Sequence, residues 1–390
     1  MAIRPSPTGA RAHVQTTYWY RWLRWRSAFP ATVLTLPTPT TSRPPEILSV
    51  VATAVDARIR TLLEAERNRW SAVDTDLALP IEALSRLVLA GGKRLRPAFC
   101  HLAFVGTGGD PDDPILVDVG AGLELLHTFA LVHDDIMDGS IIRRGNSAVH
   151  TQFVEHHEQQ GWNTESRRFG EGVAILIGDL AFVYADVLLR NVNPSAADIF
   201  NELRIEVNIG QYLDLLGTAR GRPTVSLATR ICQYKSGKYT IERPLHLGAA
   251  LARRLPEFQD ALSAYGLPLG EAFQLQDDLL GSLGDELLTG KPVGDDLREG
   301  KPTALVAWAL ERATTPQLVV LDAIGEPELS KTDVAEIQQV LIDTGAVAQV
   351  EADIGRLRDQ AIHVIGSAGL TEDATRNLID LANFVTNRHS

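Results

Sequence analysis

Cysteine is scarce in this chain, and its scarcity limits the kinds of site the chain can contain. Only Cys100 and Cys232 occur among 390 residues, and neither stands in a Cys-x-x-Cys or Cys/His cluster. A disulfide framework and a cysteine-ligated zinc site therefore have little support. Cysteines used in this way are typical of a reducing compartment, and we expect a cytoplasmic protein.

Long apolar runs and strand patterns are also lacking. No uninterrupted stretch of eighteen apolar residues occurs, so we expect no transmembrane segment. The alternation of apolar and polar residues that marks half-buried strands is nearly absent. The formal net charge is −12, which disfavours nucleic acid as a partner because the phosphates would be repelled.

Acidic residues are missing from the first 45 positions, which instead carry six arginines and many threonines and prolines. Three interpretations remain open: a disordered tail or over-extended start, a cleaved targeting peptide, and a membrane-surface contact through the Trp/Arg stretch 18–26. We expect residues 1–45 to be a disordered N-terminal extension. Residues 46–390 are expected to form a single domain.

From Glu46 onward, apolar residues recur at spacings of three and four, which is typical of amphipathic helices. Ser330 followed by Asp333 is a signature of a helix N-terminus. These features predict an all-helical bundle. The pattern predicts helices over 47–68, 114–138, 171–190, 196–219, 224–250 and 257–281.

One predicted helix ends in three aspartates, Asp134, Asp135 and Asp138. Asp134 and Asp138 share a helical face, and the negative end of the helix dipole increases their mutual repulsion. Such a cluster favours cations, and hard oxygen ligands without nearby cysteine favour magnesium over zinc. A solvated acidic helix end is the alternative, although the apolar residues at 123–132 are unusual for an exposed helix.

A second predicted helix ends in the same way. Gln274, Asp277, Asp278 and Gly281 fall on one face of an apolar helix, at spacings of three and four. Two carboxylate walls that face each other could hold several magnesium ions between them. A diphosphate that bridges those ions would complete their coordination.

Basic residues cluster near both acidic helices. The segment 91–97 reads Gly-Gly-Lys-Arg-Leu-Arg-Pro, in which glycines allow close approach to an anion and the proline begins a helix. Arg143 and Arg144 follow the first aspartates closely. Further cations lie in or near glycine-containing segments: Lys235, Lys238, Lys291 and Lys301. Ion pairs would explain any one of them, whereas diphosphates explain both signs of charge together.

His127 lies seven residues before Asp134 and about 20° from its face on an ideal helix. A histidine in an apolar helix is often a core residue whose nitrogens are satisfied by neighbours. Here it points toward the acidic end of the helix, so contact with an anion is an equally open interpretation.

Together these residues resemble the trans-isoprenyl diphosphate synthases, also called polyprenyl synthetases. The resemblance runs from about residue 47 to the C-terminus. Its motifs are GGKRLRP (91–97), ELLHTFALVHDDIMDGSIIRRG (124–145), GQYLDL (210–215), YKSGKYT (234–240) and FQLQDDLLGSLGDELLTGKPVGDDLREGKPT (273–303).

The resemblance implies an isoprenoid synthase fold, a helical bundle around a central apolar cavity. It also implies a magnesium-dependent prenyltransferase that condenses isopentenyl diphosphate with allylic diphosphates (dimethylallyl, geranyl or farnesyl). Three magnesium ions per active site and a homodimer are further expectations that it carries.

Site residues follow from the same resemblance. The diphosphate of isopentenyl diphosphate is expected to contact Gly92, Lys93, Arg96, His127 and Arg144. Magnesium is expected to bind Asp134, Asp135, Asp138, Asp277 and Asp278. The allylic diphosphate is expected to contact Arg143, Lys235, Ser236, Gln274 and Lys291. Of these, Arg143, Lys235 and Lys291 are the expected catalytic cations, because they would offset charge on the departing diphosphate. Less defined roles fall to Gln211, Asp214 and Lys301, the last as a further substrate-binding residue.

The chain departs from the family pattern at three places. Gly281 stands where a third aspartate is usual, and we expect Asp285 or Asp295 to lend outer support there. Ser236 replaces a threonine but keeps the hydroxyl group. Around Lys238 the segment is one residue longer than in the simplest family members.

Product length is expected to depend on Phe129 and Ala130, which lie five and four residues before Asp134. Ala130 is about 40° from the face of Asp134 on an ideal helix, whereas Phe129 is about 140° away. An aromatic residue followed by a small one, with an uninterrupted aspartate motif, resembles geranylgeranyl diphosphate synthases. We therefore predict a C20 product, with farnesyl diphosphate (C15) as the alternative.

Two more distant alternatives remain. A non-catalytic subunit of a heteromeric synthase is expected to lose motif acids or cations, and only position 281 is altered here. A class I terpene cyclase would not need a second diphosphate pocket. Segment 91–97 and His127 indicate such a pocket, and they therefore argue against this alternative.

Overall fold

The computed structural model describes residues 44–284, 294–326 and 328–387. Residues 1–43 and Lys291, on which predictions were made above, lie outside these ranges. The α-helices in the described residues are α1 Glu46–Ser71, α2 Ala78–Leu89, α3 Leu95–Gly106, α4 Ile115–Asp138, α5 Val149–Gln159, α6 Ser166–Leu189, α7 Pro194–Arg220, α8 Val225–Ile231, α9 Arg243–Leu251, α10 Leu255–Leu283, α11 Asp295–Glu299, α12 Ala304–Arg312, α13 Thr315–Leu321, α14 Lys331–Asp343, α15 Ala346–Ile365 and α16 Glu372–Thr386.

Three short elements complete the described chain. They are a 3₁₀-helix at Thr75–Leu77, a π-helix at Cys232–Glu242, and an antiparallel ribbon that pairs Ile142–Arg143 with Asn146–Ser147. The prediction of a helical bundle is confirmed. The helix start at Ser330 is confirmed as well, since its hydroxyl accepts a hydrogen bond from the backbone N–H of Asp333 at 3.2 Å.

Two groups of buried apolar side chains fill the interior. The larger lies mainly among α1 to α7, α9 and α16, and includes the fully buried Leu123 and Leu126 of α4. The smaller lies among α8 and α11 to α15. Helix α10 contributes Tyr265 to the first group and Leu275 to the second. It therefore joins the two cores, and its last turns lie where they meet.

The single helix predicted over 224–250 is wrong in its middle, because the π-helix Cys232–Glu242 interrupts it. In a π-helix each backbone N–H bonds to the carbonyl five residues back, so a turn holds one more residue than usual. The segment around Lys238, which the sequence analysis found one residue longer than in the simplest family members, falls within this π-helix, and a π-helical turn accommodates such an extra residue. Such insertions occur frequently at functional sites.

Two glycines allow neighbouring helices to approach the π-helix closely. A Cβ atom on Gly210 of α7 would lie 2.3 Å from the backbone N of Lys235. A Cβ atom on Gly270 of α10 would lie 2.4 Å from the Cα of Gly237. Any larger residue at either glycine would push the π-helix backbone away, and with it the side chain of Lys235.

By length and composition alone, α4 and α6 could each cross a membrane. Core helices of globular proteins share this property, and α4 is mostly buried within the bundle. Helix α6 differs because it exposes an apolar stripe. The exposed fractions of Leu176, Val183 and Val187 are 63%, 52% and 40%, and their spacing puts all three on one face.

A buried ion cluster fixes the loop that precedes α3. The guanidinium of Arg94 is fully buried and lies 2.7 Å from the carboxylate of Glu124 on α4 and 2.8 Å from that of Asp56 on α1. It also donates to the carbonyl of Val88 at 2.6 Å. The backbone of Arg94 is left-handed, with φ of 50°. These contacts hold the following basic segment in place against two long helices.

We predict that Glu124→Gln lowers the free energy of unfolding by about 3–5 kcal/mol, because it leaves the buried Arg94 undercompensated. Asp118→Asn is the matched control on the same helix, since its partner Arg58 is one-third exposed and such pairs contribute less than about 1 kcal/mol. Chemical denaturation with intrinsic fluorescence measures both. Equal losses in the two variants would contradict the assignment of Arg94 as a buried anchor.

Candidate active site

The carboxylate ends of α4 and α10 border one cleft, with a volume of about 340 Å³. Asp134 lies on one side, and Asp277 and Asp278 lie on the other. Helix α7 adds Asp214 to the lining. The predicted juxtaposition of two acidic helices is therefore observed. Further lining residues named by the sequence analysis are Arg143, Lys235, Ser236, Gln274, Asp295 and Lys301.

Lys235 connects three elements across this cleft. Its ammonium lies 3.1 Å from Asp134 Oδ1 on α4 and 2.5 Å from Asp214 Oδ2 on α7. The side chain comes from the π-helix, whose backbone is fixed by its contact with Gly210. Burial disfavours the charged ammonium, but the two aspartates more than offset this and raise the pKa of Lys235. Lys235 is therefore a permanent cation within the cleft.

Lys301 makes a second bridge between the acidic elements. Its ammonium lies 2.6 Å from Glu299, 3.3 Å from Asp296 and 3.6 Å from Asp138. Asp138 belongs to the first aspartate motif, whereas the other two belong to α11. The first motif and the segment after the second motif thus meet at a single cation.

Negative charge is in excess at both motifs. Burial, followed by repulsion from Asp134, raises the pKa of Asp138 to about 6. Burial also raises the pKa of Asp278 to about 8, against a lowering hydrogen bond from Gln274 at 2.7 Å. For Asp134, burial acts to raise the pKa, yet Lys235, Lys301 and Arg143 together lower it. These raised values indicate carboxylates that would gain from additional positive charge.

Asp135 is positioned differently from its neighbours. It is 1% exposed, and its carboxylate accepts hydrogen bonds from the Nε of Arg143, at 2.8 Å, and from its Nη2. The carboxylate of Asp134 lies 3.7 Å from the same guanidinium. Asp135 thus anchors Arg143 at the rim of the cleft, whereas Asp134 borders the cleft itself.

A second cationic region lies along α3, α4 and the π-helix. The guanidinium of Arg96 stacks 4.2 Å from the ring centre of Tyr239 and donates to the hydroxyl of Thr240 at 2.8 Å. The ring of His127 is 6.2 Å from that of Tyr239. Gly92 lies against Arg144, whose Nη2 would be 3.2 Å from a Cβ atom on that glycine. Five residues were predicted to bind the diphosphate of isopentenyl diphosphate, and four of them are therefore neighbours.

Lys93, the fifth of these residues, lies near the C-terminal helix α16. Its ammonium lies 5.9 Å from the ring centre of Phe384 near the end of α16. The sequence analysis did not foresee this contact, because Phe384 is nearly 300 positions further along the chain.

Three buried polar atoms at and near His127 lack a hydrogen-bond partner among the described residues. Within the described residues, the buried Arg96 Nε, His127 Nδ1 and Tyr239 Oη have no hydrogen-bond partner. Burial, then Arg96 and Arg144, keeps the pKa of His127 well below its usual value. The histidine is thus neutral beside guanidinium groups. Unsatisfied buried polar atoms in a cationic surrounding indicate a site for an anionic ligand.

The residues predicted to set product length lie on the same helix as the first motif. Phe129 packs edge-on against His133 of α4, with ring centres 4.7 Å apart, and against Phe182 of α6, at 4.9 Å. Ala130 is half-buried beside it. Phe129 thus contacts both the core and the neighbouring helix.

Several residues that contact the cleft or the cationic region were not predicted from the sequence. Tyr239 and Thr240 lie just beyond the one-residue insertion around Lys238. The insertion shifts the helical register, so the direction of these two side chains could not be predicted from the sequence. Asp296 and Glu299 stand next to the motif lysine Lys301, and that proximity was their only signal. Asp285 lies outside the described residues. Gln211 contacts Met137, with Nε2 3.7 Å from Sδ, and does not line the cleft.

Comparison with known proteins agrees with this geometry. The model of the polyprenyl synthetase family matches residues 79–341. A short chain isoprenyl diphosphate synthase of Methanothermobacter thermautotrophicus is 34% identical over 334 residues, which cover 83% of this chain and 94% of that protein. A geranylgeranyl diphosphate synthase of Methanosarcina mazei is 32% identical and covers 75% of this chain and 88% of its own length.

Solved structures give the same result and confirm the isoprenoid synthase fold. A geranylgeranyl pyrophosphate synthase of Corynebacterium glutamicum, complexed with isoprenyl diphosphate and magnesium, superposes with a TM-score of 0.83 at 34% identity. The alignment covers 88% of this chain and 99% of that one. A polyprenyl synthase of Caulobacter crescentus, complexed with calcium and isoprenyl diphosphate, has a TM-score of 0.72 at 28% identity, with 90% and 100% coverage. This chain therefore belongs to the polyprenyl synthetase family and is a prenyltransferase.

Proposed function

We propose that this protein condenses isopentenyl diphosphate with an allylic diphosphate to form geranylgeranyl diphosphate. The observation that carries the proposal is the pairing of two different anion sites. One is a cleft between two carboxylate helices, which Lys235 and Lys301 also line. The other is the cationic region around Arg96 and His127, which has unsatisfied polar atoms and no second carboxylate wall among the described residues.

Magnesium fits the first site. The donors are carboxylate oxygens, and burial with mutual repulsion raises the pKa of Asp138 and Asp278 to about 6 and about 8. A divalent cation would relieve that repulsion. Asp134, Asp138, Asp277 and Asp278 are the residues proposed to hold it. Asp135, the fifth ligand predicted from the sequence, binds Arg143 instead and is proposed to orient that guanidinium. When bound, magnesium would stabilise the developing charge of the departing diphosphate. Three ions per site is our proposal for the loaded enzyme.

The chain's own cations share in the first chemical step. The allylic carbon–oxygen bond breaks, and both bonding electrons leave with the diphosphate. Arg143 and Lys235 are held by Asp135, Asp134 and Asp214 where this negative charge would grow. Because they are already oriented, little reorganisation is needed, and removing one such contact costs about 10²–10³ in rate. Lys291 is proposed to join them.

The second step needs a positioned partner and a dry cavity. The double bond of isopentenyl diphosphate attacks the allylic cation, and a proton is then lost to the released diphosphate. Arg96, Arg144 and His127 are proposed to hold the second diphosphate, with Gly92 and Lys93 contributing from the preceding loop. The apolar residues of α4 between positions 123 and 132 are proposed to exclude water that would otherwise capture the cation.

We predict that the two cation sites affect different substrates. Lys235→Met should lower kcat by about 10²–10³ because charge on the leaving group loses its partner. Arg96→Met should raise the KM for isopentenyl diphosphate by about 10- to 100-fold, the value of a charged hydrogen bond. Steady-state kinetics with each substrate varied in turn, in excess magnesium and again with EDTA, measures both effects.

Arg58→Met is the control, because its partner Asp118 lies outside both sites. It should leave both Michaelis constants unchanged. Activity of the wild-type protein in excess EDTA, or an equal effect of Arg96→Met on both substrates, would contradict the proposal.

The C20 product is proposed from the positions of Phe129 and Ala130. We predict that Phe129→Ala lengthens the product, because it removes the ring that packs between His133 and Phe182. Ala130→Phe should shorten the product toward C15, because added volume has no room to relax in a packed site. Chromatography of the dephosphorylated products measures chain length.

Phe169→Ala is the control for the chain-length variants. This half-buried phenylalanine packs against His157 and Trp162 at the start of α6, away from the cleft. Its product distribution should match that of the wild-type protein. A profile that neither cavity variant alters would show that other residues set the length.

We also propose that two copies associate through α6 and α7. The exposed stripe of α6 continues on α7, where the exposed fractions of Ile205, Ile209 and Tyr212 are 58%, 50% and 61%. An ion pair of Asp186 with Arg204, at 2.6 Å, links the two helices. Apolar patches of this kind typically mark interaction surfaces. The occupant is a second copy, as in symmetric oligomers generally.

Leu176→Glu should convert the dimer to a monomer, because the interface would have to bury an unpaired charge. Val73→Glu alters an apolar residue that is 70% exposed outside the stripe, and it should leave the dimer intact. Light scattering coupled to size-exclusion chromatography measures the mass. A wild-type protein that is monomeric at micromolar concentration would refute the proposed dimer interface.

Both free cysteines are buried, in keeping with the cytoplasmic location that we propose.

A further inference from the structure

The second aspartate motif ends in a residue without a side chain. Gly281 lies four positions after Asp277 on α10, so the two share a helical face. It also lines the cleft. Family resemblance leads one to expect an aspartate at this position. The chain therefore lacks the third carboxylate that is usual on this face of α10, beyond Asp277 and Asp278.

Another carboxylate lies in that space. A Cβ atom built on Gly281 would be 1.9 Å from Asp296 Oδ2 and 2.4 Å from its Cγ. No aspartate at 281 could be accommodated without displacing the side chain of Asp296. That side chain is only 13% exposed, so it is held in the cleft. The glycine and the aspartate thus complement each other in volume.

The surroundings of Asp296 connect it to both motifs. Its Oδ1 lies 3.3 Å from the ammonium of Lys301, which in turn is 3.6 Å from Asp138 of the first motif. On the other side, Asp296 lines the same cleft as Asp277 and Asp278 of the second motif.

We propose that Asp296 supplies the third carboxylate of the second aspartate motif, and that residue 281 is glycine because this carboxylate needs its space. Asp296 is then a positioning residue for the divalent cation held at Asp277, acting from α11 instead of α10. This inference rests on the proposed function, since it concerns the metal of that reaction. Asp295, which the sequence analysis favoured for outer support, is not the residue against Gly281.

Exchange of the two residues tests the proposal. The variants are Asp296→Gly, Gly281→Asp, and the double variant Gly281→Asp/Asp296→Gly, which moves the carboxylate back onto α10. The thermal unfolding midpoint is followed during titration with magnesium at fixed inorganic pyrophosphate. The midpoint without magnesium reports structural damage, and the titration gives an apparent dissociation constant for the metal.

We expect Asp296→Gly to weaken magnesium binding by about 10- to 100-fold, as is typical when a residue that supports a metal ligand is removed. Gly281→Asp alone should weaken it as well, because two carboxylates then compete for one space. The double variant should recover to within about threefold of the wild-type constant, since the two changes compensate. Asp322→Asn, an exposed carboxylate paired with Arg222, is the control and should not change it.

Two outcomes would overturn the inference. In the first, the double variant binds magnesium no better than Asp296→Gly. In the second, Asp296→Gly keeps the wild-type dissociation constant for magnesium and lowers only the thermal unfolding midpoint measured without magnesium. Asp296 would then be only a structural partner of Lys301. A wild-type protein whose midpoint does not respond to magnesium and pyrophosphate would instead refute the proposed function itself, so the two failures are distinguishable.

Discussion

Repulsion between buried carboxylates is the constraint on which the rest of this structure depends. Asp134 and Asp138 on α4, with Asp277 and Asp278 on α10, end two apolar helices that meet at one cleft. Bringing such groups together is costly unless cations compensate them. Lys235, Lys301 and Arg143 do this in part, and each is in turn placed by a carboxylate on a different element. The bundle therefore holds charged groups at fixed positions, which is the condition for electrostatic catalysis.

The π-helix carries residues for both anion sites within six positions. Lys235 reaches Asp134 and Asp214 in the acidic cleft, whereas Tyr239 and Thr240 contact Arg96 in the cationic region. A regular α-helix would rotate these residues differently with respect to one another. The inserted residue is therefore a means of aiming two sets of side chains at two ligands. Gly210 and Gly270 keep this element in close contact with its neighbours.

Much of the architecture was predictable because its causes are local. Apolar periodicity marks the long helices, and carboxylates at spacings of three and four share a face by helical geometry alone. The π-helix was not predictable in detail, since one extra residue can be absorbed in several ways. The contact of Asp296 with Gly281 was not predictable either, because only three-dimensional packing reveals that this carboxylate fills the space beside the glycine. Contacts over long sequence distances, such as Lys93 with Phe384, left no local signal.

Helix α7 presents two functional surfaces at once. Gly210 and Asp214 face the π-helix and Lys235, whereas Ile209 and Tyr212 face away on the exposed stripe. A single helix, about 10 Å across, thus separates the reacting groups from the surface where a second copy would bind. Movement of α7 along its axis would change both at the same time. In the two-fold symmetric assembly that we propose, a shift of α7 on substrate binding would therefore also displace side chains at the interface with the second copy.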